Sequence, residues 1–459
     1  MEQKNSLTNG NITQALLLFA LPMMAGNLLQ QCYNIADTLI VGQFLGKEAL
    51  AAVGSAYTLM TFLTSILLGL CMGNGVFVSI CFGKGEEDRL KKGVFLSFLL
   101  IFGVSAVLNI GVFVLMEPIL TFLNIPEEVR GLMRSYLEII FCGMTAVFLY
   151  NYFTCLLRGI GNSVVPLLFL LASTVLNIVL DLLFILKFGM GVAGAALATV
   201  IAQYLSGIGV MLYAFFRCRT FALRRRDMGW DSGIVSEISQ LSVLTCLQQS
   251  VMNFGILMVQ GLVNSFGTVV MAAFAAAVKI DSFAYMPVQD FGNAFSTFTA
   301  QNFGAGKQER IEQGIRKALL LVTVFCLAIS AFVCIFAREL MLIFIKPEET
   351  EVLRVGIGYL RMEGSFYIGI GFLFLLYGFY RAVKRPGMSL VLTVISLGVR
   401  VALAYATAGT LGVSGIWMAI PIGWFLADLV GYLYYRHLKK LGTVFLVQQE
   451  SGRTKRIGR

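Results

Sequence analysis

Apolar residues run through this chain in unbroken stretches the length of helices. No charged residue occurs in 51–83, 93–116, 159–180, 188–216, 238–278, 318–337 or 401–427. About 20 residues at a rise of ~1.5 Å cross a hydrocarbon core of ~30 Å. Each run therefore holds a crossing, and 238–278 holds the end of one helix and the start of the next. Segments around 14–42, 132–157, 364–380 and 386–400 bring the predicted crossings to twelve. The runs lack the short alternation of barrel strands, and backbone groups in lipid must be satisfied within the segment. The predicted fold is an all-α integral membrane bundle of twelve transmembrane helices.

The polar punctuation repeats. FGKGEEDRLKKG at 82–93 returns as FGAGKQERIEQG at 303–314, so Gly83, Gly85 and Gly93 recur 221 positions later as Gly304, Gly306 and Gly314. At the same offset Pro126-Glu127-Glu128 returns as Pro347-Glu348-Glu349, and Gly191-Val192-Ala193-Gly194 as Gly412-Val413-Ser414-Gly415. Gln30-Gln31 and Gln248-Gln249 are 218 apart, and Arg158 and Arg381 are 223 apart. The pattern predicts two pseudo-twofold related six-helix lobes, residues 1–225 and 226–459. Six crossings return the chain to its starting side, so the repeats are parallel, related by an axis along the membrane normal. Duplicated membrane proteins of this kind place a transport path between or within the halves.

With 58% hydrophobic and 13% charged residues and a mean hydropathy of +0.82, a water-soluble class is excluded. The formal charge of +10 and the run Arg224-Arg225-Arg226 could suggest nucleic acid. Of the 35 Lys and Arg residues, however, 25 fall in loops on one side and eight on the other, leaving only Lys279 and Arg400 within helices. Membrane topology accounts for that excess, so no nucleic-acid partner is expected and both termini are placed in the cytoplasm. The polar stretch 1–12 shows no cleavage site, and the first apolar segment is expected to stay as a helix in a multi-pass cell-membrane protein. The nine cysteines contain no CxxC pair and read as reduced packing residues.

Missing motifs narrow the energy source. There is no GxxxxGK[ST] loop, no HExxH and no Gly-x-Ser-x-Gly elbow, and the single histidine, His437, lies near the basic tail. No enzyme and no cofactor are expected. An ion gradient remains, with H+ or Na+ as coupling ion and carboxylates in the membrane as coupling groups.

Asp37 lies in NIADTLIVG of the first predicted helix and Asp181 in STVLNIVLDLLFI of the fifth. Asn177 and Asp181 are four apart on one helical face, and Ala195 and Thr199 repeat that spacing on the sixth. Carboxylate, amide and hydroxyl oxygens suit a small alkali cation, so Na+ could sit at Asp37, Asn177, Asp181 and Thr199, and the same set can share a proton. One such group is often a satisfied contact between helices, but carboxylates at lipid depth are functional by default. The repeat makes the set one-sided, since Asn177 maps to Arg400, Asp181 to Ala404 and Thr199 to Ile420. In the second half Asp290, Lys279 and Arg400 form a candidate polar site. Lys279 and Asp281, two apart, cannot face each other. Glu138, Glu363 and Asp428 read as interfacial or packing residues near helix ends.

These residues resemble the multidrug and toxic compound extrusion (MATE) transporters over nearly the whole chain. In prokaryotic members with an amino-lobe ion site, an Asp of helix 1, an Asn and Asp four apart on helix 5 and a Thr on helix 6 bind sodium or a proton. Asp37, Asn177, Asp181 and Thr199 match one by one. The resemblance implies a hinge in helix 1 at Pro22 and a substrate cavity at Gln30, Tyr33, Tyr136 and Asn151, with Thr154 where the family carries an Asn. The helix 7 carboxylate of another branch has no counterpart, since 241–261 holds only neutral residues. The function implied by the resemblance is that of a secondary antiporter exchanging amphipathic organic cations for H+ or Na+, working as a monomer among membrane lipids. Binding of the ion would bend helix 1, shrink the first lobe's cavity and expel the drug. A flippase for a lipid-linked saccharide is the alternative, and its anionic cargo would call for more cations within helices than Lys279 and Arg400.

Overall fold

The computed structural model describes residues 7–122 and 127–445. Lys4, Pro126 and the tail cations Arg453, Lys455, Arg456 and Arg459 lie outside them. Among the described residues all regular structure is helical. The first half holds α1 (Ile12–Leu45), α2 (Lys47–Lys84), α3 (Glu87–Val114), α4 (Met116–Phe122), α5 (Glu127–Cys142), α6 (Met144–Gly159), α7 (Val164–Leu182) and α8 (Gly191–Arg217). The second repeats the series as α9 (Ser232–Asn264), α10 (Thr268–Gly304), α11 (Gln308–Ile335), α12 (Ala337–Leu342), α13 (Thr350–Gly364), α14 (Tyr367–Ala382), α15 (Pro386–Leu411) and α16 (Val413–Lys440). Among the described residues ten helices are long and apolar enough to cross a membrane, and the pairs α5/α6 and α13/α14, bent by 44° and 51°, bring the count to twelve if each is one span. Outward residues such as Val107, Val175 and Val324 are more than half exposed in mid-helix, as a lipid-facing surface requires.

The repeated motifs become repeated geometry. Asn11 caps α1 by accepting from Gln14 N–H at 3.2 Å, and Asp231 caps α9 by accepting from Gly233 and Ile234 N–H at 3.0 and 3.1 Å. Gly85 and Gly306 end α2 and α10 with φ of +73° and +69°, a region that strains any residue with a Cβ.

The two hydrophobic cores do not divide at residue 225. Leu16, Ala20 and Met23, from the start of α1, are buried in the second core, and Ile234, Ile238 and Leu241, from the start of α9, are buried in the first. These trios are 218 apart, so each half lends the opening turns of its first helix to the other. The closest approaches between halves lie toward the side carrying the N-terminus and the basic loops. There Gly83 abuts the Gln301 backbone, Gly304 the Ile80 backbone, and Gly73 and Gly69 those of Ser242 and Cys246.

Candidate functional site

Asp181, the last residue but one of α7, is fully buried, and a π-helical turn follows at Leu183–Lys187. Such turns insert an extra residue and often accompany functional positions. One turn earlier, Asn177 is 1% exposed. With its amide nitrogen toward Asp181 it donates to Oδ2 at 2.9 Å and accepts from Thr199 N–H on α8 at 3.2 Å. The opposite orientation only sets Nδ2 3.3 Å from Thr199 Oγ1, so the first satisfies the site better. Thr199 Oγ1 lies 3.2 Å from Tyr33 OH on α1. Asp37, one turn beyond Tyr33, is the charged neighbour of Asp181. Tyr136 on α5 is buried beside both carboxyls. Asp181 Oδ1 and Asp37 Oδ1 each lack a hydrogen-bond partner, and among the described residues neither carboxyl has a Lys or Arg beside it. Two carboxyl oxygens are thus left free beside one hydroxyl pair. Ala195 is buried at 1% exposure and adds no side-chain oxygen, only the small volume the packing needs.

The other expected positions are less convergent. Asn151 donates to Val147 carbonyl of its own helix at 2.8 Å, Thr154 is buried, and Gln30 is exposed on α1. Pro22 lies inside α1, where it withholds one backbone donor, within the stretch from Leu16 to Met23 that is buried in the second core.

Asp290, Lys279 and Arg400 have different neighbours in the structure: Lys279 and Asp290 are eleven residues apart on α10, about three turns, and Arg400 lies on α15. Asp290 on α10 accepts from Asn27 of α1 at 2.6 Å. Lys279 is exposed. Arg400 on α15 is an electrostatic neighbour of Asp281 and Glu363. Asp281 and Glu363 are 4% and 3% exposed, Tyr367 OH donates to Asp281 at 2.6 Å, and Tyr359 faces both. Glu363 is therefore a member of a deeply buried network and not an interfacial residue. The second lobe carries its own acids, on helices that the repeat offset did not point to. Asn27 escaped the sequence reading, although a signal was there. Asn27 and Gln31 are four apart on α1, and they meet Asp290 and Met286, four apart on α10. The first helix thus turns Tyr33 toward α8 and Asn27 with Gln31 toward α10.

Among the described residues no cluster of three His, Cys, Asp or Glu side chains could hold a metal. A cation at Asp37 and Asp181 would depend on the neutral oxygens of Thr199 and Tyr33.

The family model described as MatE matches residues 22–183 and 242–406, in two blocks that follow the duplication. A probable multidrug resistance protein, YpnP of Bacillus subtilis, is 31% identical over 94% of this chain and 96% of its own. A protein of Shewanella oneidensis named as an FAD transporter is 26% identical over 94% and 96%. Among solved structures, a MOP superfamily transporter from Pyrococcus furiosus superposes with a TM-score of 0.87 at 25% identity, over 96% of this chain and 98% of that one. A MATE in the bent conformation gives 0.89 at 25%, over 96% and 98%. From its two-block family match, its duplicated twelve-helix frame and its relatives, this chain belongs to the MatE family of multi-pass membrane transporters and is not an enzyme.

Proposed function

We propose that the protein exports amphipathic organic cations from the cell in exchange for H+ or Na+, as a monomer in the cell membrane with both termini cytoplasmic. The observation that carries this reading is the Asp37 and Asp181 pair, two carboxyls in a lipid-embedded frame, each with an unpartnered oxygen and no basic neighbour among the described residues. Burial and like charge both favour neutralising such a pair, which a proton, a sodium ion or a cationic substrate can do. Only one need occupy it at a time. Exchange then results from competition, because an occupant shifts the equilibrium only by its difference in affinity for the two states. The excess of Lys and Arg on the side of the termini supports the orientation. The name of the Bacillus subtilis relative supports a drug-like cargo.

The test is efflux of a fluorescent organic cation from vesicles under an imposed Na+ or H+ gradient. Wild type is expected to respond to one of the gradients and to lose substrate binding to competing cations but not to FAD. Asp37→Asn is expected to lose gradient-driven efflux by about tenfold or more while inserting normally. Undiminished efflux in that variant removes Asp37 from the exchange, and competition by FAD alone would replace the cationic cargo with an anionic one.

A further inference from the structure

The motif that repeats most faithfully in the sequence, FGKGEEDRLKKG with FGAGKQERIEQG, lies far from the acid pair, and the folded chain gives it a matched geometry of its own. Gly93 abuts the Phe77 ring and Gly314 abuts that of Phe298, both pairs being 221 apart. The Arg89 guanidinium then lies 5.8 Å from the Phe77 centroid, and that of Arg310 lies 5.6 Å from the Phe298 centroid. Seated on those rings, each arginine reaches across to the other half. Arg89, on α3, pairs with Glu237 in the second turn of α9. Arg310, on α11, donates to the carbonyls of Asn9 and Gly10 at 2.8 Å and of Leu7 at 3.2 Å, just before α1 begins. Each cation thus holds the leading end of the first helix of the opposite half, the same ends whose turns are exchanged between the two cores.

Neighbours reinforce both contacts. Glu237 also pairs with Lys384, the one non-glycine among the described residues with positive φ, at +59°. A backbone held in that region is kept there by its surroundings. On the twofold-related side Lys307 donates to Thr8 carbonyl at 2.9 Å and to Asn9 Oδ1 at 3.0 Å. Gln301 accepts from Leu7 N–H at 3.0 Å and donates to Gly159 carbonyl at 2.8 Å, tying the segment to the end of α6. Between the two contacts α2 and α10 meet backbone to backbone at Gly83 and Gly304. Such a seam can part without unthreading side chains. The ionic contacts are strong but within reach of water, Arg89 being 36% and Glu237 17% exposed, so water can replace them when they break.

We propose that Arg89 and Arg310 are twofold-related latches that close the basic side of the transporter, and that opening to that side requires both to let go. This rests on the reading of the chain as an alternating-access exporter.

The test uses the full chain in proteoliposomes with Cys81 kept as the only cysteine. Cys81 is 2% exposed and has Arg89, Glu237 and Lys384 as electrostatic neighbours, so its modification reports the seam. A membrane-impermeant maleimide is applied from the basic side without substrate. Relative to wild type, Arg89→Gln and Arg310→Gln are each expected to label several-fold faster, and the double variant about tenfold faster or more, while Arg89→Lys stays near wild type. Labelling of the double variant within twofold of wild type overturns the proposal. A second arm leaves Arg89 and Arg310 in place: Asn9→Cys with Lys307→Cys, which exports before joining, is expected to stop exporting the fluorescent cation once joined by a bifunctional maleimide. Continued efflux by the joined protein overturns the proposal as well. Because labelling involves no cargo, failed latches are distinguished from a failed export reading, which appears in the unmodified protein's own efflux.

Discussion

A buried carboxyl is defined less by its depth than by what it is bonded to. Asp37 and Asp181 keep oxygens free, Asp290 has an amide on it, and Asp281 with Glu363 sits among Tyr359, Tyr367 and Arg400. Asp290, Glu363 and Asp428 keep an unpartnered oxygen as well, but only Asp37 and Asp181 combine free oxygens on two neighbouring carboxyls with no Lys or Arg beside them among the described residues. Asn27 tests the distinction. Replacing it with Leu deprives Asp290 of its donor, and a buried acceptor left without one costs about 1–3 kcal/mol. Thermal unfolding in detergent should register that loss in Asn27→Leu and show much less of it when Asp290→Leu is added. Asp290→Asn alone should slow efflux less than Asp37→Asn does, and equal losses would give Asp290 the same standing as the acid pair.

At the scale of elements, helix ends and breaks carry most of the specification. Glycines at positive φ end α2 and α10, Pro22 interrupts the backbone bonding of α1 inside the second core, and a π turn starts two residues after Asp181. On the side away from the termini the short helix α4 is fastened to α5 by Glu117, which accepts from Arg130 at 2.7 Å and from Arg134 at 2.8 Å. The Arg130 hydrogen bond, aided by the charges of Arg130 and Arg134, holds the Glu117 carboxyl below its ordinary value of 4.5. The folded value is thus lower than the unfolded one. The stabilisation is complete above pH ~4.5 and is lost as pH falls through the lower folded value. Glu117 is half exposed, and solvent screening keeps the contribution small. Unfolding midpoints measured from pH 7 down to pH 3 should fall further for wild type than for Glu117→Gln, and parallel curves would show that this corner contributes nothing.

At the scale of the whole molecule, exchange of the first-helix ends makes the halves interdependent. Residues 1–225 alone would leave Leu16, Ala20 and Met23 without their core, and residues 226–459 alone would strand Ile234, Ile238 and Leu241. The two pieces expressed separately should each aggregate, whereas co-expression should restore a monodisperse, transporting complex; a stable, monodisperse single half on size exclusion would contradict this. The sequence by itself determined the helical class, the duplication and the polar oxygens of the first half, because apolar run length, repeated glycine spacing and four-residue spacing are local properties of a chain in lipid. Only the tertiary structure decided which core each helix end enters, that Asn27 belongs to Asp290, that Glu363 lies deep beside Asp281 and Arg400, and that Arg89 and Arg310 reach across. Those facts depend on the rotation of one helix against another, and no periodicity within a single helix fixes that angle.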